Sequence, residues 1–360
     1  MTSLERSSSV RRFEGNPILV PSQITPSRPD FEVVGVFNPG AIQIAEETVL
    51  LLRVAEAPLA VAADRVASPI YDAQSQQIEI RTWSRDTPGL DLSDSRLIKL
   101  GRDITLTSIS HFRRARSRDG LNFVVDSAPA YSAAHALEAF GVEDPRITRI
   151  ADTYWVNYTA VSSAGITTAL ASSPDLVHFE RHGIIFSPPN RDVTIFPEQI
   201  RGRYWALHRP MPEDIGSPAI WLASSPDLLS WGGHRLVAAA RPGKWDDLKV
   251  GGGAVPFPVQ VHGKRAWLAV YHGVTAAPLT YSLGALLLDG DDPGRVLGRS
   301  REPILFPEAP YELQGFFANV AFTCGLTNDG DRVRIYYGAS DGVTCVADLS
   351  LEAILAGLES

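Results

Sequence analysis

Gly141-Val142-Glu143-Asp144-Pro145-Arg146 has the clearest chemical content in this chain: a carboxylate at the start of a strand, braced by a proline, among recurring strand-rich units. Neighbouring strand residues point to opposite faces, so only one of Glu143 and Asp144 is expected to address a central site. Other polar residues stand apart from any repeat. Phe37-Asn38-Pro39-Gly40-Ala41 leads into an apolar strand that emerges at Leu52-Arg53-Val54-Ala55-Glu56. An arginine embedded in such a run requires an anionic or hydrogen-bonded partner. Further along come Asn190-Arg191-Asp192, Phe196-Pro197-Glu198, Leu207-His208-Arg209-Pro210, Lys249-Val250-Gly251-Gly252-Gly253, Tyr271-His272-Gly273 and Tyr336-Tyr337-Gly338-Ala339-Ser340-Asp341.

Cationic and neutral donors outnumber free carboxylates in this set, which suits an anionic reactant such as phosphate better than a metal ion. Gly251-Gly252-Gly253 could present backbone amides to an anion, but no Gly-Lys-Ser/Thr follows and the run is not a Walker loop. A single His or Arg in a strand is more often a satisfied structural residue than a ligand contact, so the weight rests on the combination.

The elements that must position these residues are strands. Leu170-Ala171-Ser172-Ser173-Pro174-Asp175-Leu176 returns as Leu222-Ala223-Ser224-Ser225-Pro226-Asp227-Leu228, and a looser copy runs from Ala115 to Leu121. In each copy an aromatic follows the Asp by four residues: Phe123, Phe179 and Trp231. Strand pairs are expected between 266–271 and 283–288 and between 333–337 and 343–347. Short strands with Asp, Gly and Pro turns at this spacing are the pattern of propeller blades, about five of them. The count takes one blade around Asn38 to Arg53, one around Ile78 to Arg116 and about three thereafter. The repeated Asp119, Asp175 and Asp227 are read as bonding their own turns. Helical spacing is confined to a short N-terminal stretch and to Leu351, Ile354, Leu355 and Leu358, which predict a closing helix over 349–360. One all-β domain over 1–360, with residues 1–15 as an extension, is the expected organisation.

Composition excludes other classes. With 33 basic against 41 acidic residues and a formal charge of −8, the chain offers no general nucleic-acid surface. The dense basic run, Arg113 to Arg118, reads as a solvated turn between strands. No stretch approaches the roughly 18 apolar residues of a membrane span, and the N-terminus lacks a signal-peptide core, so a cytoplasmic enzyme is expected. Cys324 and Cys345 read as buried thiols.

At the motifs quoted above the chain resembles glycoside hydrolase family 130, from about Asn16 to near the C-terminus. The resemblance implies a five-bladed β-propeller and, in most members, inverting phosphorolysis of β-mannosides, with a minority of hydrolases. Arg28-Pro29-Asp30 and the Leu52 to Glu56 segment look closest to members acting on β-1,2-linked mannosides. It further implies Asp144 as the general acid, acting through a sugar hydroxyl. Arg191, Lys249 and His272 correspond to phosphate-binding residues. Asn38, Arg53 and Asp341 correspond to residues holding the mannosyl unit, and His208 and Arg209 line the same pocket. Inorganic phosphate would be a co-substrate, the other partner a manno-oligosaccharide, and no metal or organic cofactor is implied. A homo-oligomer stays open.

Chemistry favours phosphorolysis on separate grounds. An inverting hydrolase needs a second carboxylate, roughly 6.5–9.5 Å from the acid, to activate water. Phosphate is already a nucleophile and needs cations to hold it. Asp192, Glu198, Glu312 and Asp341 keep the hydrolase open as the alternative. Propeller glycosidases with three carboxylates on separate blades, and a non-catalytic scaffold propeller, are the readings from other classes. Residues 81–96 and 241–247 are expected to shape the acceptor subsite.

Overall fold

The computed structural model describes residues 10–359 apart from 60 and 213. They form antiparallel sheets with very little helix. The first sheet runs Phe31–Ile44, Glu47–Pro58, Ile109–Ser117 and Val124–Val125. The second runs Val142–Ile150, Thr153–Ser162, Gly165–Ser173 and Glu180–Phe186, the third Asn190–Ile195, Tyr204–Pro210, Ile220–Ser225 and Gly232–Ala238. Lys249–Gly252, Lys264–Ala276, Leu279–Asp289 and Val296–Ser300 make the fourth, with Phe257–Val261 paired to its second strand. The fifth consists of Ala321–Asp329, Arg332–Ala339 and Val343–Ser350, closed by the N-terminal strand Val10–Arg12. The first strands adjoin one another: Phe31–Ile44 packs on both Val142–Ile150 and Ala321–Asp329, and Asn190–Ile195 lies between Val142–Ile150 and Lys249–Gly252.

Most sheets are buried on both faces, which explains why their strands read as nearly unbroken apolar runs rather than as alternating ones. In Lys264–Ala276 the residues Ala266, Leu268 and Val270 enter the core shared with the fifth sheet, while Trp267, Ala269 and Tyr271 enter the core shared with the third. The period of two is intact; both of its phases are apolar.

The repeated turn behaves as its sequence requires. Asp175 Oδ1 accepts from the backbone N–H of Val177 and His178, Asp227 Oδ1 from Leu229 and Ser230, and Asp119 Oδ1 from Leu121 and Asn122. Gly120, Leu176 and Leu228 share one position in it and are all left-handed, with φ of 69°, 58° and 69°. Leucine pays roughly 1–2 kcal/mol for that conformation, and here it does so with its side chain fully buried.

Four expectations change. Residues 65–106 are not a blade: Arg65–Asp72 with Gln77–Ser84, and Leu90–Asp91 with Leu97–Leu100 and Asp103–Leu106, are two small sheets inserted between the second and third strands of the first sheet. The basic run Arg113 to Arg118 is largely strand, not a solvated turn. Arg113 is buried and Arg114 pairs with Asp126, because the strand is internal to its sheet. The closing helix is only Leu351–Ala356, capped by Ser350 Oγ accepting from Ala353 N–H, and Leu358–Glu359 is instead a strand on the fourth sheet. Of the expected extension, Val10–Arg12 is the outer strand of the fifth sheet; residues 1–9, including the stretch with helical spacing, lie outside the described residues.

Arg12 fastens that outer strand. Its Nε donates to Glu312 Oε1 at 2.8 Å, and Glu312, fully buried, also accepts from Tyr337 Oη and the backbone N–H of Glu308 and Ala309. Arg12→Ala should cost about 3 kcal/mol, since it strands a buried carboxylate. A denaturant midpoint indistinguishable from wild type would contradict this.

Candidate active site

The site is built on a backbone irregularity that recurs from sheet to sheet. The first strands of the first, second, third and fifth sheets each carry an extra residue, at Phe37/Gly40, Glu143/Arg146, Arg191/Thr194 and Thr323/Gly325. In three of them the residue at the bulge is left-handed and short-chained: Asn38, Asp144 and Asp192, with φ of 48°, 53° and 57°. Asn and Asp tolerate that conformation better than other non-glycine residues. A bulge re-aims its side chains, and all three line one cavity of about 290 Å³.

The bulge also corrects the alternation argument at Glu143-Asp144: both face the cavity. Arg53 Nη1 donates to Asp144 Oδ1 at 3.0 Å, and Arg53 Nη2 lies 2.7 Å from Glu143 Oε1. Asn38 Nδ2 donates to the same Asp144 oxygen at 3.0 Å, and the Arg53 guanidinium sits over the Phe37 ring. Burial alone would raise the Asp144 carboxyl. The charges of Arg53 and Arg146, the Asn38 hydrogen bond and the charge of Arg191 outweigh it and hold the group below the usual carboxylate range.

A second carboxylate cluster faces the first. Asp192 Oδ2 accepts from Arg209 Nε at 2.7 Å, and His272 Nε2 lies 3.6 Å away. The charges of Arg209, Arg146 and Arg191 overcome the burial penalty and keep Asp192 ionised. Burial depresses His272 to about 3 despite Asp192, so it enters the site as a neutral imidazole with Nδ1 unpartnered. Lys249 projects over the Tyr281 ring, and among the described residues neither Lys249 nor Arg191 forms an ion pair. The glycine run serves close packing rather than an amide cradle. A Cβ on Gly251 would stand 2.4 Å from His272 Cε1, and the carbonyls of Gly252 and Gly253 both accept from Arg146.

The inserted sheets and the loop before the fifth sheet supply the rest of the wall. Arg96, held by Asp94, stacks on Phe317, and both line the cavity with Asp341. Burial, opposed by Arg53 and reinforced by Asp144, raises the Asp341 carboxyl to about 6.

Eight of the nine candidate residues therefore converge: Asn38, Arg53, Asp144, Arg191, Arg209, Lys249, His272 and Asp341 all line the cavity. His208 does not. It neighbours Arg209 on a regular strand, so it points to the other face, into a separate cleft where it bonds Asn190 and His234. Of the alternative bases, Glu198 is at the surface paired with Arg265, and Glu312 is the buried anchor of Arg12. Residues 241–247 are structural: Arg241, Tyr271 and Arg299 all bond Asp246, which is fully buried. Of the stretch 81–96 only Arg96 reaches the cavity. Sequence reasoning missed Arg146, Tyr281 and Phe317. For Arg146 a signal existed, the same one that singled out Arg53, since it precedes Ile147 in an apolar strand.

The chain belongs to glycoside hydrolase family 130. The family's sequence profile, described as beta-1,4-mannooligosaccharide phosphorylase, matches residues 96–360. A beta-1,2-mannobiose phosphorylase of Listeria innocua is 43% identical over 98% of this chain and 99% of the relative. A 1,2-beta-oligomannan phosphorylase of Thermoanaerobacter is 37% identical over 68% of this chain and 80% of the relative. The structure of the beta-1,2-mannobiose phosphorylase from Listeria innocua in complex with beta-1,2-mannobiose superposes with a TM-score of 0.92, covering 97% of this chain and 98% of that one. A thermostable family-43 glycoside hydrolase, at 16% identity and a TM-score of 0.55, shares the fold alone.

A carboxyl raised by folding favours the folded state at low pH and loses that contribution as pH rises through its folded value. For Asp341 the window runs from about 4 to about 6. Urea midpoints of Asp341→Asn should therefore gain on wild type across that window, and parallel pH profiles would remove the assignment.

Proposed function

We propose that this chain is an inverting phosphorylase of β-1,2-linked manno-oligosaccharides, a single catalytic domain over residues 1–360 in which the five sheets are the blades of a five-bladed propeller. The succession of adjoining first strands around one cavity supports the architecture. The observation that carries the activity is the pair of cations that form no ion pair among the described residues, Arg191 and Lys249, in the same cavity as the Asn38–Asp144–Arg53 cluster.

Inorganic phosphate is the co-substrate, held by Arg191 and Lys249, with His272 as a neutral donor and Arg209 oriented by Asp192. Asn38, Arg53 and Asp341 hold the mannosyl unit. A phosphate oxygen attacks the anomeric carbon from the face opposite the leaving group, the carbon–oxygen bond to phosphate forms, and the glycosidic bond breaks. Asp144 supplies the proton that reaches the leaving oxygen through a sugar hydroxyl, and α-mannose 1-phosphate results. The surrounding arginines keep Asp144 ionised. Phosphate beside Arg191 offsets part of that positive field and raises the proton affinity of Asp144, so arrival of the nucleophile loads the acid.

The hydrolase reading needs a carboxylate free to activate water. Glu198 and Glu312 are committed elsewhere and Asp192 is ion-paired to Arg209, which leaves Asp341, in the cavity, as the one of the four named carboxylates that a hydrolase would use; the cations Arg191 and Lys249 in the same cavity favour phosphorolysis.

The test is release of mannose 1-phosphate from β-1,2-mannobiose, β-1,4-mannobiose and mannosyl-glucose, with and without phosphate. Product from the β-1,2-linked substrate only with phosphate is expected; free mannose at equal rates without it would make the enzyme a hydrolase. Lys249→Ala should raise the KM for phosphate about tenfold or more, the worth of one charge-assisted hydrogen bond. Asp144→Asn should lower kcat by about 10²–10⁴-fold, and near-normal turnover in that variant would remove Asp144 from its role.

A further inference from the structure

The cleft that receives His208 is a site in its own right. It lies at the open end of the interface between the second and third sheets, encloses about 370 Å³, and is lined by Phe186, Asn190, His208, Trp221, Trp231 and His234 among others. It shares no residue with the catalytic cavity, and none of its lining residues is Asp, Glu, Lys or Arg.

Its polar groups form a chain that ends unsatisfied. Asn190 Nδ2 and His208 Nδ1 are 3.0 Å apart, and His208 Nε2 and His234 Nδ1 are again 3.0 Å apart. Asn190 is only 7% exposed, yet its Oδ1 has no partner. If the amide donates to His208, each imidazole carries its proton on Nε2, and the free groups are an amide oxygen and the N–H of exposed His234. If the amide is turned over, the polarity of the whole chain reverses and the free groups are an amide N–H and an imidazole acceptor. Either way one donor and one acceptor remain. A buried amide end without a partner is costly unless a ligand or water meets it.

The remaining wall is aromatic. Phe186 stacks on His208 and on Trp231, whereas half-buried Trp221, opposite His208 in the strand register, has no aromatic or cation–π partner and belongs to no apolar core among the described residues. Indole faces beside a neutral donor–acceptor pair, with no charge nearby, match a ring that is apolar on its C–H face and carries hydroxyls at its edge. We infer that this cleft is a second, non-catalytic saccharide site that binds one neutral pyranose unit. Its recognition elements do not depend on the catalytic reading.

The experiment is calorimetric titration of the full chain carrying Asp144→Asn, to block turnover, with β-1,2-mannotriose and no phosphate. Two equivalents are expected. Adding Trp221→Ala or His234→Ala should weaken one of the two sites at least tenfold and reduce the stoichiometry to one. The same substitutions in the otherwise wild-type enzyme should leave kcat/KM on β-1,2-mannobiose unchanged. His234 is exposed, so its variant keeps the test informative if Trp221→Ala misfolds. A single equivalent in the parent, or two equivalents persisting in His234→Ala, would overturn the inference. Two equivalents with no phosphorolysis by the wild-type enzyme would overturn the catalytic reading and leave this one standing.

Discussion

The centre of the molecule is organised by one buried guanidinium. Arg146 leaves the second sheet, accepts almost no solvent, and donates to the carbonyl of Asp144, to the carbonyls of Gly252 and Gly253 on the fourth sheet, and to Asp192 on the third. Its charge also lies near the Phe322 ring of the fifth. A charge in such a place is tolerable only when its donors are matched, and matching them requires these sheets to converge at fixed distances. The absence of side chains at Gly252 and Gly253 is part of that constraint: a Cβ on Gly252 would stand 2.4 Å from the Asp192 carbonyl oxygen.

Around Arg146 the polar groups divide into two fields. On one side Asn38 and Arg53 hold Asp144; on the other Arg209 and His272 attend Asp192, with Arg191 and Lys249 left over. The recurring left-handed bulge makes this possible, because it lets three first strands deliver an Asn or Asp into one cavity. Asn38, Asp144 and Asp192 are therefore not exceptions to the repeat but one repeated position, varied in chemistry from sheet to sheet.

Much of the architecture was legible in the chain. The Ser-x-Asp turns, the aromatic four residues later and the strand pairs 266–271 with 283–288 and 333–337 with 343–347 depend on local hydrogen bonding and on period-two burial, both written into short segments. What failed were assignments that depend on partners far along the chain. Residues 65–106 have strand-like composition, but whether they form a blade or an insertion depends on where Ile109–Ser117 finds its neighbour, and that neighbour is Glu47–Pro58. The arginine-rich run looked solvated because its acceptors, among them Asp126 and the Ser127 carbonyl, become available only once the strands have paired.

The candidate site divides along the same line. Residue type alone marked Arg53 as needing an acid, and Glu143 and Asp144 as acids near the start of a strand; the motif order marked the family. Which way each side chain faces was decided by tertiary structure. Strict alternation sends His208 away from Arg209, whereas a one-residue bulge turns Glu143 and Asp144 to the same cavity. Protonation was decided there too: burial removes the water that would stabilise a charge on His272 and holds its imidazole neutral. Sequence sets the inventory of donors, acceptors and charges, and only the packed fold, by fixing their distances and their dielectric surroundings, determines which of them are spent on one another and which are left for a ligand.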